Sequence, residues 1–301
     1  MDLGAWVNSP LHAPIARWLT RLAPERFPAV EELNGLVQSV PALPAGFRFG
    51  RAGGPLAAAE YERGIASTGV VPIRPNDWHD LFNALAWLSF PRLKASLNRC
   101  HVAALSANPS HEALKGQRGA LRDLATLLDE SGMLLACDDR SLVEALAAHA
   151  WRTLLVERRA AVCRSMRFAV CGHAIFDRGR AARKGLTARV LVLPVDQTHF
   201  GGDDVALLPW LDAMAAGWLD RVVGHWRAGG VDAHEGPTND AAGPDPVMQD
   251  PSSARPGAGA APGTRLLLHL PVMGIPGWCA ANADPAFYDD PQVFRRAAIA
   301  P

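Results

Sequence analysis

The side chains best suited to chemistry are concentrated between Pro75 and His101, in the run PNDWHDLFNALAWLSFPRLKASLNRCH. Six ionisable or amide side chains stand out there against an apolar background: His79, Asp80, Asn83, Lys94, Asn98 and His101. Imidazoles and carboxylates can transfer protons near neutral pH or ligate a metal ion. The spacing is not that of a His-Glu-x-x-His metal motif, and a capped helix with a hydrogen-bonded histidine would contain the same residues. The run is therefore a candidate site of unspecified reaction.

Two further groups of residues extend the candidate site. Arg118 and Arg122 could hold a phosphate or carboxylate in a forked geometry, although a surface ion-pair network would use the same residues. His173 follows Gly172 at the end of a predicted strand, where side chains commonly face a cleft; the alternative is an ordinary histidine at a helix start. We expect His79 and Asn83 to share a pocket with at least one of His101, Arg122 and His173.

These considerations give a complete set of candidate residues. The candidate catalytic residues are His79, Asp80, Asn83, His101 and His173, and the candidate substrate-binding residues are Arg118, Arg122, Lys94 and Asn98. The sequence does not identify a metal, although a divalent ion would offset the charge of a phosphorylated substrate. No Gly-x-Ser-x-Gly elbow, phosphate loop or dinucleotide fingerprint is present.

Two helices must position the first run. Asp77 is a plausible N-cap of the first helix, and Pro91 fits the start of the second because its fixed φ suits a first helical turn. On such helices His79 shares a face with Asn83, and Lys94 forms a stripe with the polar residues four and seven positions later. The two polar faces can line one cleft if the helices pack together.

The remaining elements predict a single, mostly helical α+β domain with a small sheet. Leu121 to Ala136 is expected to form a hairpin, with Asp129 and Glu130 solvated at its tip, and Ser141 to about Cys163 one long helix. Val205 to Trp226 fits a buried helix rather than a membrane span, because three charged residues interrupt it. The other expected elements are short helices over residues 1–40, a helix over 55–65 and strands over 47–49, 70–75, 167–171, 188–195 and 265–272.

The chain has a clear internal boundary in composition. Residues 228–264 are rich in Gly, Ala and Pro and contain few large apolar side chains, so they are expected to form a disordered insertion. Residues 1–227 would form the main body, and residues 265–301 the last strand and a segment that packs back on it.

Charge is balanced overall but not locally. The chain contains 30 Lys plus Arg and 30 Asp plus Glu, so its net charge does not indicate a nucleic-acid partner. Residues 151–184 contain nine basic and two acidic residues, whereas residues 196–250 contain ten acidic and two basic ones. These sections could face each other in the fold, or the basic one could bind an acidic partner or phosphate.

The five cysteines include no Cys-x-x-Cys pair, and their odd number argues against a disulfide framework. The N-terminal stretch has an early Asp and no basic start before an apolar block, so we do not expect it to be a signal peptide. Together these features suggest a cytoplasmic protein with reduced thiols and no transmembrane segment.

Several long strings resemble a known family. They are NDWHDLFNALAWLSFPRLKASLN, RGALRDLATLLDESG, the Gly172-His173-Ala174 step, and LPVMGIPGWCAAN followed by FYDDPQVFR. Over roughly Glu60 to Arg295, with residues 228–263 as an insertion, the chain resembles the uncharacterised bacterial family known as domain of unknown function 3025. The resemblance implies a proteobacterial, cytoplasmic protein. It supplies no established activity and no catalytic or binding residue.

Two functions fit these observations. The leading hypothesis is an enzyme, or enzyme-like protein, that acts on a phosphorylated or otherwise anionic small substrate. The alternative is a non-catalytic protein that binds an acidic partner through residues 151–184. The sequence does not determine the reaction, the substrate or the oligomeric state.

We predict that the segment from Ala228 to Gly263 is dispensable. A flexible loop of this length costs little more closure entropy than a short one, about 0.6 kcal/mol per doubling. Its replacement by a short Gly/Ser linker should leave the melting temperature within a few degrees in a thermal scan. Limited proteolysis of the full chain should cut this segment first. A large drop in melting temperature, or protection from protease, would contradict the insertion hypothesis.

Overall fold

The computed structural model describes residues 3–107, 119–181, 183–195, 205–227 and 266–295. The α-helices are α1 (Ala13–Leu19), α2 (Val30–Val37), α3 (Ala58–Thr68), α4 (Trp78–Ser89), α5 (Pro91–Ala107), α6 (Ala120–Ser131), α7 (Arg140–Ala147), α8 (Arg159–Ser165), α9 (His173–Arg178) and α10 (Leu208–Arg227). The strands are β1 (Arg48–Arg51), β2 (Val70–Ile73), β3 (Gly132–Cys137), β4 (Met166–Val170), β5 (Thr187–Pro194) and β6 (Leu268–Pro271). The predicted insertion lies outside the described residues.

A four-stranded mixed sheet forms the centre of the molecule, with the order β4-β3-β5-β6. Strands β3 and β5 run parallel, whereas β4 and β6 pair antiparallel with β3 and β5, respectively. Strands β1 and β2 form a separate parallel pair. The prediction of a mostly helical α+β fold with a small sheet is confirmed.

Both faces of β3 are buried, which divides the hydrophobic core into two clusters. Met133 and Leu135 belong to one cluster, and Leu134 and Ala136 belong to the other, as the two-residue period of a strand requires. Helices α1, α4 and α7 contribute to the first cluster, and α5, α6 and α10 contribute to the second. Every residue of β3 is buried, which is why this strand reads as a continuous apolar run.

The predicted hairpin over Leu121 to Ala136 is wrong. Residues 120–131 form helix α6, and β3 begins directly at Gly132. Leu121, Leu124 and Leu128 recur at helical spacing and are buried, so helix packing outweighs the turn signal. Gly132 has φ −69° and does not supply the positive φ that the hairpin hypothesis assigned to it. Asp129 and Glu130 therefore lie in the last turn of a helix, not at a solvated tip.

The predicted long helix from Ser141 to Cys163 is interrupted. Helix α7 ends at Ala147, a π-helical turn spans Thr153–Glu157, and α8 begins at Arg159. His149 adopts a φ angle of 53°. A right-handed helix cannot continue through a residue with this positive φ.

The predictions around α4 and α5 agree with the structure. The Asp77 carboxylate accepts a hydrogen bond from the Asp80 backbone N–H, as an N-cap does, and Pro91 is the first residue of α5. The predicted buried helix over Val205 to Trp226 corresponds to α10, whose inward side is apolar. Within the described ranges, no helix combines the length and apolar character needed to cross a membrane.

The C-terminal segment packs on the main body. β6 pairs with β5, and Tyr288 and Phe294 are buried in the first core cluster. The Trp151 indole N–H donates to the Arg295 carbonyl at 2.6 Å. All five cysteines are free thiols.

The oppositely charged sections do not pair with each other through their described ion pairs. In the basic section, Arg152, Arg158 and Lys184 pair with Asp289, Asp139 and Asp290, respectively. In the acidic section, Asp212 and Asp220 pair with Arg92 and Arg99 of α5. These pairs connect each section to other parts of the chain.

Asp212 of α10 caps the start of α5 from a buried position. Its carboxylate is 1% exposed and accepts hydrogen bonds from the backbone N–H groups of Arg92 at 3.1 Å and Leu93 at 2.8 Å. Burial raises the pKa of Asp212 to about 6, and the two backbone donors oppose that rise. The cap fixes α5, which carries Lys94, against α10.

We predict that Asp212→Ala lowers the free energy of unfolding by about 1–3 kcal/mol, because it leaves two helix N–H groups buried without an acceptor. Urea denaturation followed by circular dichroism measures this loss. Glu144→Ala on α7 is the control. It removes an exposed pair with Arg140 and should cost less than about 1 kcal/mol. Equal losses in the two variants would contradict the assigned role of Asp212.

Candidate functional site

His79 and His173 meet at the centre of the candidate site. His79 lies in the first turn of α4 and His173 is the first residue of α9. Their Nε2 atoms are 2.9 Å apart, and the two rings are inclined at 71°. His173 is buried, whereas His79 is partly exposed. The two histidines are 94 positions apart in sequence, yet each directs its Nε2 atom to the same point.

Backbone contact fixes the orientation of the His173 ring. Its Nδ1 lies 2.8 Å from the carbonyl oxygen of Asp129, so Nδ1 carries the proton and donates. Burial lowers the pKa of His173 to about 3. The ring is therefore neutral at pH 7, and its Nε2 lone pair faces His79. The 3.8 Å approach of His173 Nδ1 to the Asp129 carboxylate is not an ion pair in this state.

Glu130 is the third group at this point. Its Oε1 lies 3.7 Å from His173 Nε2, and one ligand atom from each of His79, Glu130 and His173 falls within 4.8 Å of the others. The Glu130 side chain is 38% exposed, so the cluster opens to solvent on this side. Burial raises the pKa of Glu130, while His79 opposes that rise. We call these three residues the His-His-Glu cluster. They are the described residues that could hold a metal ion.

Two glycines permit the close approach that forms the cluster. A Cβ atom at Gly172 would lie 2.7 Å from the Glu130 carbonyl carbon and 2.3 Å from the Gly132 nitrogen. A Cβ atom at Gly132 would lie 2.1 Å from the Leu128 oxygen. The start of α9 can therefore rest directly against the end of α6 only where no side chain intervenes. This contact places His173 beside Glu130.

A largely buried ion pair, in which the Asp129 side chain is 18% exposed, lies behind the cluster. The Lys94 ammonium of α5 donates hydrogen bonds to the Asp129 carboxylate and, at 2.7 Å, to Asn83 Oδ1 of α4. The Asn83 amide in turn donates to the Tyr61 hydroxyl of α3 at 2.8 Å. Burial opposes ionisation of Asp129, but the Lys94 charge and hydrogen bond, together with the neighbouring histidines, hold the pKa of Asp129 at about 2. Lys94 is 4% exposed and is thus committed to structural partners.

A second polar group continues along α5. The Asn98 amide donates to the backbone carbonyl of Glu62 at 2.9 Å and to its carboxylate at 2.7 Å. Burial, followed by repulsion from Asp129, raises the pKa of Glu62 to about 7. Arg122 of α6 lowers that pKa, and buried His101 lowers the pKa of Asp129. His101 therefore lies near Asp129, whereas Asn98 contacts Glu62 and Arg122 lies within electrostatic reach of Glu62.

Asp80 is engaged elsewhere. Its carboxylate accepts hydrogen bonds from the Arg74 guanidinium at 2.7 and 2.9 Å and from the Arg74 backbone N–H at 2.8 Å. These bonds join the end of β2 to the start of α4, so Asp80 has a structural role. Arg118 lies outside the described residues.

Sequence reasoning missed four members of this arrangement. Asp129 and Glu130 were assigned to a solvated turn, although the helical spacing of Leu121, Leu124 and Leu128 would have placed them on a helix. No local sequence pattern indicates Tyr61 and Glu62, because they reach the site only through contacts of α3 with α4 and α5.

A separate cavity lies elsewhere in the molecule. It has a volume of about 330 Å³ and lies between the N-terminal segment, β4 and α10, with mostly apolar lining side chains that include Phe168, Leu208 and Trp278. None of the residues of the candidate site lines it.

We predict that Lys94→Met lowers the free energy of unfolding by about 3–5 kcal/mol, because it leaves Asp129 as a buried carboxylate without its cation. The double variant Lys94→Met/Asp129→Asn removes both charges and should recover much of this loss. Denaturant unfolding of the two variants and the wild type measures the difference.

The stability that Lys94→Met loses should also depend on pH. Without Lys94, burial raises the pKa of Asp129, and protonation then removes the buried charge. The deficit of Lys94→Met should therefore shrink as the pH falls from 7 to 4. A double variant no more stable than Lys94→Met would contradict the assigned ion pair.

Comparison with known proteins identifies the family but no characterised relative. Residues 48–226 and 255–298 match the family described as "Protein of unknown function (DUF3025)". No curated protein and no solved structure shows significant similarity to the chain. The gap between the matched ranges, residues 227–254, covers most of the predicted insertion, and the matched ranges include the whole His-His-Glu cluster. The chain belongs to the DUF3025 family.

Proposed function

We propose that this protein is an enzyme that acts on a small anionic substrate at the His-His-Glu cluster. The observation that carries the proposal is the convergence of two imidazole nitrogens and a carboxylate at a solvent-accessible point, in front of a buried Lys94–Asp129 pair. Groups with perturbed pKa values concentrate in this way at catalytic sites.

Stability alone does not account for this arrangement. Buried charges and imidazoles lose hydration, and an apolar core of the same volume is often as stable as a buried ion pair. Lys94, Asp129 and His173 are nevertheless all within the interior around the cluster. The Asp129 backbone carbonyl holds the His173 ring in one tautomer and in one orientation, which is the preorganisation that catalysis needs.

The charge near the opening favours an anion. Arg178 of α9 is exposed and lies near enough to Glu130 to lower its pKa. Among the described residues, Arg178 forms no ion pair with a carboxylate within 4.0 Å, so its guanidinium can meet a phosphate or carboxylate of a substrate. Phosphorylated small molecules therefore form the first class of substrate to test.

The alternative, a non-catalytic protein that binds an acidic partner through residues 151–184, has less support. Arg152, Arg158 and Lys184 already pair with acidic residues of this chain. The Arg159 guanidinium donates to Asn282 and Tyr288. Only Arg164, Arg178 and Arg183 of the described basic section are exposed and have no carboxylate of the described residues within 4.0 Å, which leaves a smaller surface for an acidic partner. The cytoplasmic location of this protein stays a prediction.

We predict that the full-length protein hydrolyses at least one member of a panel of phosphomonoesters, phosphodiesters and small carboxylic esters or amides. His79→Ala should lower kcat by at least about 100-fold, the scale of loss for a group that acts at the reacting atoms. Arg178→Glu should raise KM about tenfold or more, because it reverses a charge at the opening.

Arg221→Glu is the matched control, since Arg221 is an exposed arginine on α10 outside the cluster. It should leave kcat and KM unchanged. Absence of turnover across the panel, or a His79→Ala variant as active as the wild type, would contradict the proposed function. Salt-sensitive binding of a polyanion without turnover would support the interaction protein instead.

A further inference from the structure

We infer that the His-His-Glu cluster is a binding site for one divalent transition-metal ion, with His79 Nε2, His173 Nε2 and a Glu130 carboxylate oxygen as its protein ligands. The inference deepens the proposed function, because it assigns an ion to the same reacting centre.

The separations of the three atoms suit a single ion. Zinc binds imidazole nitrogen at about 2.0–2.1 Å and carboxylate oxygen at about 2.0–2.2 Å, so neighbouring ligand atoms lie roughly 3–3.5 Å apart around it. The two Nε2 atoms are 2.9 Å apart, and Glu130 Oε1 is 3.7 Å from His173 Nε2. Shifts of a few tenths of an ångström would bring these two pairs to the required distances.

The orientation of His173 is that of a ligand. Its Nδ1–H is donated to the Asp129 carbonyl at 2.8 Å, which leaves the Nε2 lone pair directed into the cluster. Metal-binding histidines generally show this pattern, in which an outer hydrogen bond fixes the tautomer and the direction of the ring. The 2.9 Å contact with His79 Nε2 is a hydrogen bond that His79 donates to this lone pair, and a bound ion would take the place of the shared proton.

A cation is also the group that the cluster lacks. Within the described part of the chain, no Lys or Arg nitrogen pairs with the Glu130 carboxylate within 4.0 Å, and Lys94 is already matched by Asp129. An ion between the two imidazoles and Glu130 would neutralise this carboxylate. Glu130 is 38% exposed, so solvent and an ion have access from this side.

The donor set selects the class of ion. Calcium and magnesium prefer oxygen ligands, whereas two imidazoles with one carboxylate suit zinc, iron(II) and related ions. Three protein ligands leave further coordination positions open for water or an anionic substrate group. An ion bound there would polarise that group, which would assist hydrolysis of an anionic ester.

The test uses the full chain after treatment with EDTA and removal of the chelator. Isothermal titration with Zn²⁺ and visible spectroscopy with Co²⁺ measure binding with no substrate present. The wild type should bind one equivalent of Zn²⁺ and gain several degrees in melting temperature. His79→Ala and Glu130→Gln should each bind at least tenfold more weakly. Mg²⁺ should not compete.

His225→Ala is the matched control, because His225 lies on α10 outside the cluster and should not affect binding. Circular dichroism of the His79 and Glu130 variants without metal must match the wild type. If Glu130→Gln does not fold, Glu130→Ala replaces it. A wild type that binds no Zn²⁺, or variants of His79 and Glu130 that bind as tightly as the wild type, would overturn the inference.

The metal site and the proposed enzyme can fail separately. Binding that depends on His79 and Glu130, without turnover of any substrate, supports the metal site and contradicts the enzyme. Turnover that depends on His79 but persists in protein shown to be free of metal supports the enzyme and overturns the metal site.

Discussion

The buried pair between Lys94 and Asp129 is the interaction on which the rest of the site depends. A buried charge is tolerated only when its counter-charge and further hydrogen-bond partners are in place. Lys94 satisfies this condition through Asp129 of α6 and Asn83 of α4, and Asn83 continues to Tyr61 of α3. The backbone of Asp129 then orients His173 of α9. One ion pair thus fixes five helices relative to each other.

Backbone geometry also helps to position the His-His-Glu cluster. Helix α6 runs into β3 at Gly132 without a connecting loop, and the N–H groups of Cys171 and Gly172 both donate to the Gly132 carbonyl. Because neither Gly132 nor Gly172 has a side chain, the start of α9 can contact the last turn of α6. The sheet therefore positions the cluster through the ends of β3 and β4, rather than through side chains that project from its faces.

The histidines show that burial alone does not mark a functional residue. His12 is fully buried, its Nε2–H donates to the Phe176 carbonyl at 3.1 Å, and burial lowers its pKa to about 4. Its ring lies among Trp6, Phe82 and Phe176, and no carboxylate of the described residues pairs with it within 4.0 Å. His173 has a similar backbone bond, but its second nitrogen faces another imidazole and a carboxylate at the edge of solvent. This difference in surroundings assigns one histidine to the core and the other to the proposed metal site.

The sequence by itself determined the family, the α+β class and the elements with strong local signals, such as the Asp77 cap, the start of α5 at Pro91 and the strand that precedes His173. Local residues carry these features, because capping, fixed φ values and apolar runs act within a few positions. The sequence also singled out His79 and His173. Only the tertiary structure decided that they meet, that Asp129 and Glu130 belong to a helix that ends beside them, and that Lys94 is buried in an ion pair. These features depend on contacts between residues about 20 to 95 positions apart, which local patterns do not encode.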